Sequence, residues 1–390
     1  MPIQKDSIYS LQFILISLSS FLFSASFTMM LPELPAYLDK MGGADYKGLI
    51  IALFTLTAGI SRPFSGKLTD KIGRIPIMAF GSMVCFLCGI LYPILITVWG
   101  FLILRLIHGF STGFKPTGTS AYVADIIPQE RRGEAMGIQA ISGSLGMAIG
   151  PLMGSWLTDF YNINIMFYCS SVFALMSILI LMGMKESLTD KQKFKFNYLK
   201  LEKNEWFENS VFGPFIIMLL VSFPTGAILT IAPDLCTHLK LENKGLFIAV
   251  YTISSLFIRL FAGKISDRRG RKPVMIFSSI VLAISMIIIG LSQNYITLII
   301  GAVIFGISWG INTPTLMAWT IDISSSEKRG KAVATSYIGL EFGIGLGAVI
   351  SAYIYNNNYS NFAITFFLSG FISLIAVFYL LYFKIKKRAF

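Results

Sequence analysis

The stretches GKLTDKIGRIPIM (66–78) and GKISDRRGRKPVM (263–275) each set a cluster of charged residues between long apolar runs. An offset of 197 places Gly66 on Gly263, Asp70 on Asp267, Gly73 on Gly270 and Arg74 on Arg271. The same offset carries Lys47-Gly48 onto Lys244-Gly245, Arg62 onto Arg259, and Gly109 and Gly113 onto Gly306 and Gly310. It also carries Asp125 onto Asp322 and Arg132-Gly133 onto Arg329-Gly330. With a four-residue gap, Pro32-Glu33-Leu34 falls on Pro233-Asp234-Leu235. The chain therefore consists of two copies of one unit.

Each unit is apolar. Of 390 residues, 55% are hydrophobic and only 13% charged, and the mean hydropathy is +0.70, whereas a soluble domain carries about 25% charge. The apolar residues do not alternate with polar ones, as a membrane barrel requires. They form runs of roughly 18–25, the length of a helix that crosses a hydrocarbon core. The expected fold is all-α, with twelve spans near 10–38, 47–69, 75–97, 99–126, 134–158, 162–184, 211–239, 243–266, 273–292, 294–323, 331–355 and 360–383. The first run lacks a small-residue cleavage site and continues into Pro32-Glu33, so it reads as a span and not a signal peptide. Two six-helix bundles, 1–184 and 210–390, flank a polar linker at 185–209.

A net charge of +12 would suit nucleic acid, but its distribution points elsewhere. Lys5, the hinge cations, Arg131-Arg132, the linker lysines, Lys328-Arg329-Lys331 and the run Lys384 to Arg388 all fall on one side. The other side holds Lys40, Lys47, Lys240 and Lys244. Cationic loops stay inside, so the crowded side is expected to be cytoplasmic, with both termini there. Four scattered cysteines form no disulfide framework. Cys85 and Cys88 make a CxxC inside an apolar span without nearby His or carboxylate, which reads as packing.

The loop G-K-x-[TS]-D-x-x-G-R, present twice, resembles the signature loop of the major facilitator superfamily. The resemblance covers nearly the whole chain. It implies two parallel six-span halves with a solute bound between them and a cavity lined by spans 1, 4, 7 and 10. It also implies that Arg74 pairs with Asp125, and Arg271 with Asp322, near a cytoplasmic gate of Gly66, Asp70, Gly73, Gly263 and Asp267. Gly66 and Gly73 are expected to permit close helix approach and unusual backbone angles. Weak ion pairs, about 0.2–1 kcal/mol each when exposed, suit a gate that must also open.

Charges within the spans mark the candidate site, because a charge in hydrocarbon is costly unless it lines a cavity or meets a partner. Span 4 carries Arg105, His108, Thr112 and Lys115 on one face, and the matching positions of span 10 are Ala302, Phe305, Trp309 and Asn312. These are the expected cavity residues, with Glu33 an alternative, structural partner for Arg105. Glu341, in YIGLEFGIGLG of span 11, has Ser144 as its repeat mate. It is the candidate carrier of a coupling proton, near Lys115, with Glu33 and Asp234 as outer stations.

Span 5 reads GSLGMAIGPLMGSW (143–156). Its glycines, among them Gly146, Gly150 and Gly154, allow close helix packing. With Pro151 they resemble the span-5 motif of drug–proton antiporters, except that Ser155 stands for the second of a glycine pair. Arg105-Leu-Ile-His-Gly109 and LPELPAYL (31–38) resemble two further antiporter motifs. The resemblance implies proton-coupled efflux of an amphipathic organic solute by a monomer in the plasma (inner) membrane. Uptake or exchange of a small, possibly anionic metabolite is the alternative, and a receptor on a transporter scaffold is a third reading. The chain carries no H-E-x-x-H, G-x-S-x-G or phosphate loop, so neither an enzyme nor an ATP-driven pump is expected. Its expected partners are a small solute, protons and the bilayer, with no nucleic acid, cofactor or metal.

Overall fold

The computed structural model describes residues 9–128, 131–200, 206–325 and 328–386. Lys5, Lys387 and Arg388 of the basic excess, and linker residues 201–205, lie outside the described residues. Thirteen α-helices account for most of the described chain. The first half holds α1 (Leu11–Met29), α2 (Leu34–Lys40), α3 (Lys47–Ile72), α4 (Arg74–Leu91), α5 (Val98–Ile126), α6 (Arg132–Phe160) and α7 (Ile163–Met182). The second holds α8 (Phe212–His238), α9 (Gly245–Arg269), α10 (Arg271–Gly290), α11 (Tyr295–Ile323), α12 (Arg329–Tyr355) and α13 (Phe362–Lys386).

Local chemistry sets these boundaries. The first span breaks at Pro32-Glu33, so that α1 and α2 share it, because Pro supplies no N–H and keeps its predecessor out of the helical region. The repeat mates Thr97 and Asn294 cap α5 and α11 by accepting from the N–H of Gly100 and Thr297. Gly73 (φ +129°) and Gly270 (φ +84°) each reverse the chain in a single residue, α3 to α4 and α9 to α10. Only glycine adopts such angles without strain.

Among the described residues, eleven stretches are long and apolar enough to cross a membrane. The twelfth expected span, α5, falls short because Arg105, His108, Lys115 and Asp125 lower its hydropathy. It nevertheless packs along α3 and α4 like its mate α11 along α9 and α10. Arg105, His108 and Lys115 turn inward and are buried. The linker leaves the bundle at one end, the linker face, and the turns at 41–46 and 239–244 lie at the opposite, far face.

Within each half, small residues make close helix crossings. Gly146, Gly150 and Gly154 of α6 lie against the α1 backbone at Phe21, Ala25 and Met29, where any methyl would overlap it. Their mates Gly343 and Gly347 lie the same way against Leu219 and Phe223 of α8. The halves meet along two seams, α3 against α12 and α6 against α9.

Candidate functional site

A cavity of about 400 Å³ lies between the halves. On α5 its wall runs from Arg105 to Ser120, and on α1 and the turn after it from Ser20 to Leu31. Phe23, Phe27, Phe54, Tyr251 and Trp309 give it aromatic surface. Arg62 and Glu341 supply a charge of each sign, 3.2 Å apart across the α3–α12 seam. The Arg62 guanidinium also lies 4.6 Å over the Tyr337 ring.

The stripes on α5 and α11 split by register. Arg105, Thr112, Lys115 and Trp309 reach the cavity wall, whereas His108, Phe305 and Asn312, expected there, do not. His108 is buried inside its own half between Tyr92 (Nδ1 to the hydroxyl, 3.1 Å) and Cys85 (Nε2 to Sγ, 3.3 Å). Phe305 packs edge-on to Tyr251 and parallel to Trp309. Asn312 bonds to Ser278 and Ser308. The cause is helix geometry. At about 100° per residue, positions 108 and 115 lie about 60–80° to one side of 105, and their mates 305 and 312 share that offset. Lys115 reaches the wall by its length, but its ammonium turns back to donate to Ser19 (2.6 Å) and Ser177 (2.9 Å) and does not meet Glu341.

Arg105 is fully buried and does not pair with Glu33. It donates to the Ile50 carbonyl (2.9 Å) and the Tyr92 hydroxyl (3.3 Å), and lies 4.6 Å over the Phe54 ring. Its Nη2 has no hydrogen-bond partner among the described residues. Such a cation on a cavity wall is a ready counter-charge for something that enters.

Glu33 instead belongs to a set of contacts at the far face that the sequence reading leaves unassigned. Lys244 of the second half reaches Glu33 of the first at 2.9 Å, and Lys47 of the first reaches Asp234 of the second at 2.6 Å. Lys47 also pairs with Asp39 at 2.7 Å. The adjoining glycines complete the fit: Gly48 lies against Ala348 and Gly245 against Pro151, which are themselves repeat mates. Ser155, the departure from the glycine-pair motif, donates to Glu33 (2.7 Å) and accepts from the Gly245 N–H (3.1 Å). The duplicated Lys-Gly dipeptide is the sequence signal for this contact.

At the linker face the charged hinges hold together within each half. Arg74 meets Asp70 at 3.0 Å and Asp125 at 2.9 Å, and Arg271 meets Asp267 at 2.5 Å and Asp322 at 2.9 Å. Glu186 of the linker accepts from the N–H groups of Arg74 and Ile75, capping α4, and Ser187 donates to Asp125. Gly73 has the expected unusual angle, but Gly66 and Gly263 meet nothing within 4 Å. The close approach expected at Gly66 is absent because that side of α3 faces open space at the linker face.

This architecture has many relatives. A sequence profile of the Major Facilitator Superfamily matches residues 16–242 and 211–389. The multidrug resistance protein MdtG of Serratia proteamaculans is 27% identical over 362 residues, covering 86% of both chains. An uncharacterized MFS-type transporter of Methanocaldococcus jannaschii is 25% identical over 338 residues, covering 83% of this chain and 87% of that one. Among solved structures, the nucleoside transporter NupG superposes with a TM-score of 0.77 at 14% identity, covering 95% of this chain and 98% of the other. A D-xylose–proton symporter gives 0.76 at 17%, covering 94% and 96%. With the duplicated hinge, the two bundles and the cavity between them, the profile match makes the chain a multi-pass membrane transporter of the Major Facilitator Superfamily.

Proposed function

We propose that the protein is a proton-coupled exporter of small amphipathic organic molecules, working as a monomer by alternating access, with the linker face cytoplasmic. The observation that carries this reading is the Arg62–Glu341 pair. It joins the halves through α3 and α12 while lining the cavity, with only 12% and 8% of the two side chains exposed. A proton on Glu341 removes the charge that holds Arg62 and so loosens a contact between the halves. The same carboxylate is thus available both to the proton and to the conformational change. Weakening that contact shifts the balance between two states separated by a few kcal/mol. The cavity volume falls within the 300–1,000 Å³ typical of small-molecule sites, and its aromatic lining suits flat apolar solutes. The relationship to proteins named for multidrug resistance supports the outward direction.

The test is flux in proteoliposomes with an imposed pH gradient and a fluorescent amphipathic dye. Wild-type protein should move dye uphill as protons run down, and Glu341→Gln should bind dye but no longer accumulate it. Uphill transport by Glu341→Gln at the wild-type rate would sink the coupling role.

Arg105 favours a second reading, exchange or uptake of an acidic metabolite. Its unpartnered Nη2 offers a charged donor that a carboxylate or phosphate oxygen fills well. Under this reading, acidic solutes compete with the dye in wild type, and Arg105→Lys relieves the competition.

A further inference from the structure

On the flank of the second half, close to the linker face, α9, α10 and α11 enclose a groove of about 360 Å³. Ala262, Val274 and Ile311 form its buried apolar floor, and Ile265, Phe277 and Arg269 form its rim. The repeat mates of these six are Ser65, Ile77, Phe114, Leu68, Phe80 and Ile72. In the first half that site is occupied. Phe114 fills it and packs on Phe80 with ring centres 4.7 Å apart, and Tyr198 of the linker lies against Leu68, Ile77 and Phe114.

Two changes separate the second groove from the first. Ile311 replaces the Phe114 ring, which leaves the trough unfilled. Arg269 replaces Ile72, which adds a cation at its rim, and Lys272 replaces Ile75 at the start of α10. Lys272 lies 5.7 Å over the Trp319 ring. The nearby carboxylates, Asp267 and Asp322, are both held by Arg271. Arg269 is thus left at the rim of an apolar trough, at the end of the helices where the basic loops gather. Juxtamembrane cations of this kind are attracted to anionic lipid, and basic pockets between helices hold phospholipid head groups.

We propose that this groove binds one anionic phospholipid, with an acyl chain along Ala262, Val274 and Ile311 and the phosphate on Arg269. The first half has no such site, because its own Phe114 and Tyr198 occupy the equivalent space. The inference does not depend on the direction of transport or on the coupling ion.

The test is native mass spectrometry of the purified full-length protein with phosphatidylglycerol, phosphatidylcholine or water-soluble glycerol phosphate. Wild type should retain one phosphatidylglycerol in preference to phosphatidylcholine and should not retain glycerol phosphate. Arg269→Ile and Ile311→Phe each install the residue the first half already carries at that position, so the fold accommodates both. Arg269→Ile should weaken phosphatidylglycerol retention about fivefold, the weight of one cation at an anionic surface, and Ile311→Phe should weaken both lipids by filling the trough. Arg268→Ala removes an equal charge one residue away, outside the groove, and should leave retention unchanged. Equal retention of both phospholipids by wild type would overturn the proposal, as would an Arg269→Ile protein that retains lipid like wild type or an Arg268→Ala loss as large as that of Arg269→Ile. Retention of glycerol phosphate alone would show an anion site without a lipid, and would likewise overturn it.

Discussion

Glu33 and Lys244, 211 positions apart in the chain, meet at 2.9 Å across the seam at the far face. Lys47 and Asp234 make the mirrored contact at 2.6 Å, so each half lends a lysine to the other's carboxylate. Truncating one partner of a buried pair costs about 3–5 kcal/mol, because the other charge is left uncompensated. In a two-state transporter that cost falls on the closed form alone. Glu33→Lys should therefore open the far face, and Glu33→Lys combined with Lys244→Glu should close it again. The measure is labelling of a Leu31→Cys reporter by an impermeant thiol reagent added at the far face, in a Cys169→Ser background. A labelling rate that rises in the single variant and fails to fall in the double one removes the lock.

The glycines beside those lysines make a separate prediction. Gly48 and Gly245 lie directly on the opposing half, whereas Gly66 faces open space. Gly245→Leu should hold the far face permanently open and abolish transport, with the protein still inserted. Gly66→Leu is neutral while the far face is closed and should obstruct only the opposite form, in which the linker face closes. Its far face should stay protected from label while transport is lost. The two leucines thus act in opposite senses on one reporter. Identical labelling in both variants would show that neither seam closes in the proposed way.

The fold is legible in the sequence because a hydrocarbon core dictates helix length, and because the duplication exposes every charged hinge twice. Pairs that lie close along the chain or within one loop system, such as Arg74 with Asp125, are legible too. Pairs that cross the molecule are not. Depth in the membrane, which helix rise supplies, matches Glu33 to Arg105 and Glu341 to Lys115. Azimuth and the partner half, which decide contact, come only from packing. Arg105 turns to Phe54 and Tyr92, leaving Glu33 to Lys244. Lys115 turns to Ser19 and Ser177, leaving Glu341 to Arg62. His108 and Asn312 illustrate the same limit, since a step of three residues drifts far enough around a helix to change its neighbour.

The two hinge glycines are not equivalent, although the motif is. A side chain at Gly73 would meet the Glu186 carboxylate that caps α4, whereas one at Gly270 meets only the edge of Pro273 at 3.8 Å. Both positions have backbone angles that cost a non-glycine residue about 1–3 kcal/mol. Gly270→Ala should therefore lose about that much stability. Gly73→Ala should lose more, because it also displaces the cap, and deleting the cap first with Glu186→Ala should reduce the difference. Thermal unfolding of the purified variants measures both effects. Equal losses in Gly73→Ala and Gly270→Ala would mean that the linker does not brace the first hinge.

The seams are unequal in the same way. Arg62 finds Glu341 across α3–α12, while the repeat sets its mate Arg259, on α9, opposite α6, where the mate of Glu341 is Ser144. The Nε of Arg259, like that of Arg62, has no hydrogen-bond partner among the described residues. Ser144→Glu should give Arg259 the pair that Arg62 already has. A hydrogen bond to a charged group contributes about 1.5–3 kcal/mol, and this one forms only while the seam is closed. The variant should therefore unfold at higher temperature and turn over more slowly. Adding Arg259→Ala should cancel both effects, because the introduced carboxylate would then have nothing to meet. If Ser144→Glu destabilises the protein equally with Arg259 present or absent, the seams do not share one geometry, and the single carboxylate at Glu341 cannot be read as the asymmetry that couples a proton to one side of the molecule.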